Sequence, residues 1–198
     1  MSPLDPMDVA ASPWSIAGRV RPCAGQIVSG DTFVVVPCRD HVIVAVVDAL
    51  GHGPEAHDVA NRASDSLQGC FVNDPVAIIE RLHRDLQGTR GSAATVCVLS
   101  PGRIDGCGVG NCEVRSTVRE LSPLLTHGVL GSRMGKPRRF GGALVAGDRV
   151  VLYSDGVRGR EWPDEIWNEA PENACRSLIE RCGRSGDDAT ALIVEVKA

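Results

Sequence analysis

Four aspartates stand where apolar, strand-like segments of this sequence begin or end. The clearest is Asp48, which closes the unbroken apolar run 42–47 and is followed closely by Gly51 and Gly53. A β-branched run of this kind, bounded by glycine, predicts a fully buried strand. An acid at the end of such a strand is costly unless it is paired or binds a cation. We therefore expect Asp48 to have a partner elsewhere in the chain.

The other three aspartates repeat this pattern. Asp31 and Asp187 each precede another apolar segment and Asp155 follows one, and each stands beside glycine or another small residue. Any one of them could be an ordinary turn aspartate, since strand-end turns often contain this residue. Carboxylates that converge repel each other unless a metal ion holds them, and oxygen ligands suit Mg²⁺ or Mn²⁺. Taken together, the four indicate an acidic, metal-binding rim on one sheet edge.

Length and composition restrict the class of protein. A chain of 198 residues is suited to one domain with a sizeable core, and we expect residues 1–12 to be a flexible tail and 13–198 a single domain. The net charge of −4 argues against a general nucleic-acid surface. The sequence lacks a signal peptide and an apolar run of the ~20 residues that a membrane-spanning helix needs. These features predict a cytoplasmic protein without a membrane segment.

The eight cysteines follow no disulfide or zinc pattern. Most of them interrupt apolar strand or helix patterns, which favours buried, reduced thiols that act as small hydrophobic residues. Cys107 and Cys112 could chelate a metal ion if both faced one way. No second pair of cysteines completes a zinc site with them.

Residue periodicity predicts nine strands, with two helices in the middle of the chain and one near its end. The helices are expected to begin at Pro54, Pro75 and Pro171, because proline is favoured in the first helical turn. The strands are predicted at 14–20, 26–36, up to 48, 92–99, 104–110, 112–118, 141–145, 150–153 and 189–196. We expect the three strands within 92–118 to pair consecutively and 141–153 to form a hairpin. The fold class is α+β, with layers of antiparallel sheet.

Five short motifs occur in an order that is far more specific than any single one. They are Ser29-Gly30-Asp31, Asp48-x-x-Gly51-x-Gly53, Gly108-Val109-Gly110-Asn111, Gly147-Asp148 followed by Ser154-Asp155-Gly156-Val157, and Asp187-Asp188-Ala189-Thr190. The set resembles motifs of the metal-dependent serine/threonine protein phosphatases, the PPM superfamily, and most closely its bacterial SpoIIE-like branch. The length and the segments 90–95 and 135–137 resemble the short, stand-alone phosphatases of the stressosome. The resemblance covers about residues 25–196.

This resemblance implies a four-layer αββα sandwich of two antiparallel sheets flanked by helices. It also implies two divalent cations, Mn²⁺ or Mg²⁺, at one end of the sheets. By correspondence, Asp48 would bridge both ions, and the backbone carbonyl of Ala49 would bind one of them. Asp155 and Asp187 would ligate the other ion, while Asp31 would hold metal-bound water as a catalytic residue.

The implied activity is hydrolysis of phosphoserine or phosphothreonine by a metal-activated water. Two ions suit this reaction, because they lower the pKa of a bound water and offset the charge that develops on the phosphoryl group. The resemblance implies phosphorylated stressosome proteins as partners, and we expect a monomer. The alternative is a catalytically silent scaffold that keeps the fold and only binds signalling partners. Metal-dependent turnover distinguishes these two hypotheses.

The sequence departs from the family pattern at three positions. Ala49 stands where glycine is usual, which would cost about 1 kcal/mol if the backbone there required a positive φ. Leu50 stands where many relatives have a proton-donating histidine. His52, four residues after Asp48, could be this acid or could cap the following helix. Asn111 stands where larger relatives have an aspartate linked to a third metal ion, so we expect a two-metal site.

The basic segment 136–139 has two possible roles. The basic residues Lys136, Arg138 and Arg139 could receive an acidic or phosphorylated partner surface, or could simply form a solvated loop. The N-terminal region contains no obvious arginine that would bind the substrate phosphate.

Overall fold

The computed structural model describes residues 12–197, so the tail predicted at 1–12 lies outside the described residues except for Ser12. The described part contains nine strands and four helices. In chain order these are β1 (Trp14–Arg21), β2 (Asp31–Pro37), β3 (Val42–Ala49), α1 (Pro54–Gln68), α2 (Pro75–Asp85), β4 (Ser92–Ser100), β5 (Arg103–Val109), β6 (Glu113–Ser116), β7 (Arg139–Ala143), β8 (Arg149–Tyr153), α3 (Glu165–Asn168), α4 (Pro171–Cys182) and β9 (Ala189–Val196).

The strands form two antiparallel sheets. The four-stranded sheet has the order β1-β9-β8-β6, and the five-stranded sheet has the order β2-β3-β4-β5-β7. Helices α1 and α2 cover the outer face of the five-stranded sheet, and α3 and α4 cover the outer face of the four-stranded sheet. The predicted four-layer αββα sandwich is therefore confirmed.

Strand β3 shows how the core is divided. Val44 and Val46 belong to the apolar core between the two sheets, whereas Ala45 and Val47 belong to the core under α1 and α2. All four side chains are fully buried, because successive residues of a strand point to opposite faces and both faces are covered here. This is why β3 is an unbroken apolar run.

The helices begin at the predicted prolines, because their start signals are local. Asp74 caps α2 by accepting a 3.0 Å hydrogen bond from the backbone N–H of Val76. Helix α4 spans the predicted range, and its apolar face is buried against the four-stranded sheet.

Two predicted strand pairings are wrong. The strand predicted at 112–118 does not pair with β5, because β6 crosses to the four-stranded sheet and pairs with β8. Its place beside β5 is taken by β7, so 141–153 does not form a hairpin: β7 and β8 belong to different sheets. The chain leaves β5 at Gly110, whose φ of +91° suits glycine. A Cβ at this position would lie 2.5 Å from the Cβ of Ala93.

Strand β2 is shorter than predicted, since it begins at Asp31 and not at Gln26. The carboxylate of Asp188 holds the preceding loop by accepting 2.7 Å hydrogen bonds from the backbone N–H groups of Cys23 and Gly30. These bonds replace strand pairing in the segment before Asp31.

All eight cysteines are free and buried, as expected. Cys107 lies in the core under α1 and α2, and Cys112 lies in the core between the sheets. Because they occupy different cores, the two thiols cannot chelate one metal ion. Among the described residues, no helix has the length and apolar character needed to cross a membrane.

Candidate active site

The five-stranded sheet contributes two aspartates to one rim of the molecule. Asp31 at the start of β2 lies directly opposite Asp48 near the end of β3. Residues opposite each other in an antiparallel pair carry their side chains on the same face. Asp48 continues the series of Val44 and Val46, so this shared face is the one that looks toward the other sheet.

The four-stranded sheet brings the other two aspartates to the same rim. Asp155 follows the end of β8, and Asp187 precedes the start of β9. These two strands are antiparallel neighbours, so the end of one lies beside the start of the other. The structure therefore places all four predicted aspartates at the end of the cleft between the sheets. We call this group, Asp31, Asp48, Asp155 and Asp187, the acidic rim.

Two polar side chains contact these carboxylates. The hydroxyl of Ser154 donates a 2.6 Å hydrogen bond to Oδ2 of Asp31, and the Ser154 Oγ accepts the backbone N–H of Thr190 at 3.0 Å. The amide of Asn111 donates a 2.5 Å hydrogen bond to Oδ2 of Asp155. The carboxylate positions are thus set partly by residues that sequence analysis did not assign to the site.

The acidic residues strongly affect one another. Burial first, and then the nearby carboxylates of Asp31, Asp155 and Asp187, together raise the pKa of Asp48 to about 9. Burial is also the largest cause that raises the pKa of Asp31, to about 7, against the opposing effect of the hydrogen bond from Ser154. The pKa of Asp187 is also raised, first by burial and then by the charge of Asp155. Without a cation, this rim favours protonated carboxyl groups.

The donor set fits a divalent cation. Within residues 12–197, no three carboxyl, imidazole or thiol side chains are gathered tightly enough to form an assembled metal cluster. The available donors are nevertheless carboxylate and carbonyl oxygens, which Mg²⁺ and Mn²⁺ prefer. Asp155 raises the pKa of Asp48 both through its charge and as a close carboxyl neighbour, and either a shared proton or a cation relieves this repulsion. A divalent ion can replace that proton, because metal binding competes with protonation of its ligands.

Ala49, Leu50 and His52, which follow Asp48, were each singled out by the sequence, and the structure gives their backbone conformation or exposure. Ala49 is not in the left-handed region, since Glu161 is the only non-glycine residue with positive φ in the described range, so the alanine carries no backbone strain there. Leu50 is 46% exposed at the rim. His52 is exposed between Gly51 and Gly53, and no side chain of residues 12–197 caps α1, so the capping alternative for this histidine is wrong. Its catalytic role stays a prediction.

Arg90 also lies at the rim, and its place there was not predicted from the sequence. The Nη1 of Arg90 donates a 3.1 Å hydrogen bond to the carbonyl of Leu50, and its Nη2 pairs with Glu55. Arg90 therefore places a positive charge beside the rim, where Glu55 partly neutralises it. In the basic segment for which a partner surface and a solvated loop were both considered, Arg139 is paired with Asp74 at 2.6 Å. No pattern in the sequence signals either pairing, because the partners are 35 and 65 residues apart.

Comparison with known proteins agrees with this geometry. The family model described as Stage II sporulation protein E (SpoIIE) matches residues 39–197. The chain is 26% identical to phosphoserine phosphatase RsbX of Bacillus subtilis (strain 168) over 140 residues, 67% of this chain and 69% of that protein. It superposes with a TM-score of 0.86 and 28% identity on a structure from the bacterial stressosome, described as a modular system adapted to control secondary messenger signaling, over 92% of this chain and 99% of the other. RsbX in complex with magnesium has the same fold, with a TM-score of 0.78, 20% identity and coverage of 93% and 96%.

Proposed function

Since this chain belongs to the Stage II sporulation protein E (SpoIIE) family, we propose that it hydrolyses phosphoserine and phosphothreonine on stressosome-type signalling proteins, using divalent cations. The enzyme class, phosphoprotein phosphatase, follows from the family and from the phosphoserine phosphatase relative. We further propose that it acts as a cytoplasmic monomer and that two ions, Mn²⁺ or Mg²⁺, bind at the acidic rim.

One observation carries this proposal: two aspartates from each sheet meet at the end of the cleft between the sheets. An acidic group of this kind is unfavourable in the metal-free fold, because burial and mutual repulsion penalise the ionised carboxylates. A purely structural role does not explain why four acids are kept at one edge. Cation binding does explain it.

We assign the roles of the site residues as follows. Asp48, Asp155, Asp187 and the carbonyl oxygen of Ala49 would hold the metal ions. The bound ions would supply Lewis-acid activation of water and would offset charge on the phosphoryl group. Asp31 is buried at the same rim, where it would orient a water molecule. Its carboxylate is fixed by Ser154, which favours a single orientation.

Two further residues are placed to assist. Asn111 orients the carboxylate of Asp155 through its amide N–H. His52 is exposed in the turn after β3, where it would be accessible to protonate the leaving serine or threonine oxygen. The stressosome context is supported by the similarity to RsbX and to the stressosome structure.

The direct test is phosphate release from a phosphorylated stressosome protein, with and without Mn²⁺. We expect turnover that needs the metal, and a loss of at least about a hundredfold in Asp155→Asn, because a metal ligand is removed while side-chain volume is kept. Asp65→Asn is the matched control, since Asp65 is exposed near the C-terminal end of α1, whose N-terminal end is the one that follows the rim. Calorimetric titration of Mn²⁺ into both variants measures the site without relying on activity.

The alternative function gives a different result. If the wild type binds Mn²⁺ and the partner but releases no phosphate, the chain is a scaffold that kept the fold. If Mn²⁺ does not bind at all, the aspartates are turn residues and the proposal fails.

A further inference from the structure

A cleft lined by arginine lies beside the acidic rim on the side of the four-stranded sheet. Its basic residues are Arg158, Arg160 and Arg181, and its volume is about 480 Å³. We call this feature the arginine cleft. Glu161 is the one acidic residue that lines it. All three arginines are exposed, which is unusual clustering in a chain whose net charge is −4.

The arginine cleft and the acidic rim share one loop. Asp155 begins the turn that carries Arg158 three residues later, so their Cα atoms are at most about 11 Å apart. The backbone N–H of Arg184 donates a 2.7 Å hydrogen bond to the carbonyl of Gly156. The N–H of Arg158 donates a 2.9 Å hydrogen bond to the carbonyl of Cys182, which ties the same loop to the end of α4.

The wall of the arginine cleft is held rigidly. The indole N–H of Trp162 donates a 2.6 Å hydrogen bond to the carbonyl of Arg158. The guanidinium of Arg115 lies 4.5 Å from the centre of the Trp162 ring and donates a 3.3 Å hydrogen bond to the carbonyl of Gly159. Glu161, between these anchors, has a φ of 56°, a left-handed conformation that its surroundings must impose. A fixed wall of this kind lowers the entropy that a ligand must overcome on binding.

The arginine cleft keeps a net positive charge, because its three arginines face two acids, Glu161 in the lining and Glu165 beside Arg181. Arg158 donates to the carbonyl of Arg181 at 2.7 Å, which satisfies a donor and leaves the charge in place. Arg181 has Glu165 as a partner at 3.6 Å, and both side chains are more than half exposed, so this pair is weak. Arg160 makes no ion pair with any residue in the described range. Two or more guanidinium groups are therefore available to an incoming anion.

We propose that the arginine cleft binds acidic side chains of the phosphoprotein substrate, a few residues away from the phosphorylated serine or threonine. This inference rests on the proposed function, because the acidic rim must receive the phosphate. An extended chain advances ~3.3 Å per residue, so the ~11 Å limit corresponds to about three residues. Guanidinium groups bind carboxylates through paired N–H donors, which suits aspartate and glutamate.

An arginine cleft beside the rim would also offset the repulsion between the acidic rim and an acidic substrate. Those aspartates of the rim that are ionised repel an acidic substrate until cations are bound, and long-range repulsion slows association. A basic cleft within a few residues of the rim attracts the same substrate and orients it. Specificity would then come from the flanking sequence, while the metal ions act on the phosphate.

The test uses two phosphoserine peptides that differ only in their flanks, one with glutamate and one with glutamine at three to four positions on each side. We expect the wild type with Mn²⁺ to have a kcat/KM for the glutamate peptide at least about tenfold above that for the glutamine peptide at low salt. In Arg160→Gln/Arg181→Gln, we expect this ratio to fall to within about twofold of one. The control is Arg176→Gln, an exposed arginine on the same helix α4 whose recorded side-chain partner is Asn173. Charge-reversed Arg160→Glu/Arg181→Glu should prefer a lysine-flanked peptide.

A second readout separates this inference from the proposed function. Anisotropy of a labelled, unphosphorylated glutamate peptide is measured in chelator over a range of salt. We expect salt-sensitive binding to the wild type and to Arg176→Gln, with Kd raised at least about fivefold in the double variant. If peptides are hydrolysed but the kcat/KM ratio is the same in all variants, the arginine cleft is not a substrate site. If no peptide is hydrolysed, the proposed function fails, and loss of anisotropy in the double variant still supports the cleft. Equal anisotropy in every variant overturns it.

Discussion

The hydroxyl of Ser154, directly after β8 of the four-stranded sheet, donates a 2.6 Å hydrogen bond to the carboxylate of Asp31 in the five-stranded sheet. Both residues are buried, and they are 123 positions apart in the chain. The same oxygen accepts the backbone N–H of Thr190, which leaves the Ser154 proton free to point at Asp31. One hydroxyl thus fixes a candidate catalytic carboxylate and joins the two sheets at the rim.

The first prediction concerns Ser154→Ala. The substitution leaves a buried carboxyl group and a backbone N–H without their partner, so we expect the free energy of unfolding to fall by about 1–3 kcal/mol. Denaturant titration in chelator measures this loss apart from metal binding. Ser132→Ala, at an exposed position, should change the unfolding free energy by less than about 0.5 kcal/mol. Equal stability of the two variants would contradict the role given to Ser154.

The second prediction concerns pH in the presence of chelator. Because the folded-state pKa values of Asp31 and Asp48 are raised above the ordinary value, the folded protein binds more protons than the unfolded chain. Their contribution to stability is greatest below about pH 4 and is lost as pH rises toward about 9. We therefore expect these two groups to lower the stability of the metal-free protein across this window.

Asp48→Asn provides the matching variant for the pH experiment. It removes a carboxylate that is unfavourable when ionised, so the metal-free variant should be more stable than the wild type at pH 8 and should lose less stability as pH rises. Thermal melts from pH 5 to pH 8 measure both slopes. A wild type that becomes more stable relative to Asp48→Asn over this range would contradict the prediction.

The third prediction concerns the glycine after Asp155. A Cβ on Gly156 would lie 1.7 Å from the backbone carbonyl oxygen of Asp188, and neither backbone can move without displacing the rim. We expect Gly156→Ala to cost more than about 2 kcal/mol of unfolding free energy. At Gly186 nothing lies within 4 Å of an added Cβ, so Gly186→Ala should be nearly neutral. Comparable melting temperatures for the two variants would show that the rim backbone is not tightly packed.

The fourth prediction concerns Asn111→Asp. The change replaces the amide that donates to Asp155 with a second carboxylate, so like charges face each other at the rim. In chelator at pH 8, the variant should be less stable than the wild type by about 1 kcal/mol or more. Asn73→Asp, at an exposed position between α1 and α2, is the control. If both variants keep wild-type stability, the contact with Asp155 contributes nothing.

The fifth prediction concerns the number of metal ions. Because Asn111 supplies an amide donor where larger relatives have an aspartate, we expect two Mn²⁺ ions per chain at saturation. Metal analysis after gel filtration, together with anomalous scattering from crystals, gives the count. A fully occupied third ion near Asn111 would contradict the two-metal assignment.

Local signals in the sequence predicted the elements, but not all of their partners. The limits of α4 and β9 were predicted correctly, because Pro171 starts the helix and glycine precedes the strand. The sheet to which β6 and β7 belong was not predicted. A strand of four or five residues carries a weak alternation that fits either sheet, and its neighbour is chosen by packing between distant segments.

In the candidate site, the aspartates were predicted from the sequence, but the contacts of their neighbours were not. Asp31, Asp48, Asp155 and Asp187 could be selected because each is an acid at the end of an apolar run. Ser154 and Asn111 lie within the motifs and Arg90 lies in the segment 90–95, but their contacts form only when distant parts of the chain meet, so the sequence does not reveal those contacts. The arginine cleft is likewise assembled from the loop after β8 and the end of α4.

The division of the acidic residues between two sheets links activity to the completeness of folding. Each sheet alone carries half of the ligand set, so a chain in which the sheets have formed but not yet docked has no site to fill. Newly synthesised or damaged molecules would therefore be inactive toward phosphoproteins until the two sheets have packed against each other. Residues such as Val44 and Val46 set the spacing of the two sheets. Substitutions at these positions would change the distance between the two halves of the site, although all four aspartates would be kept.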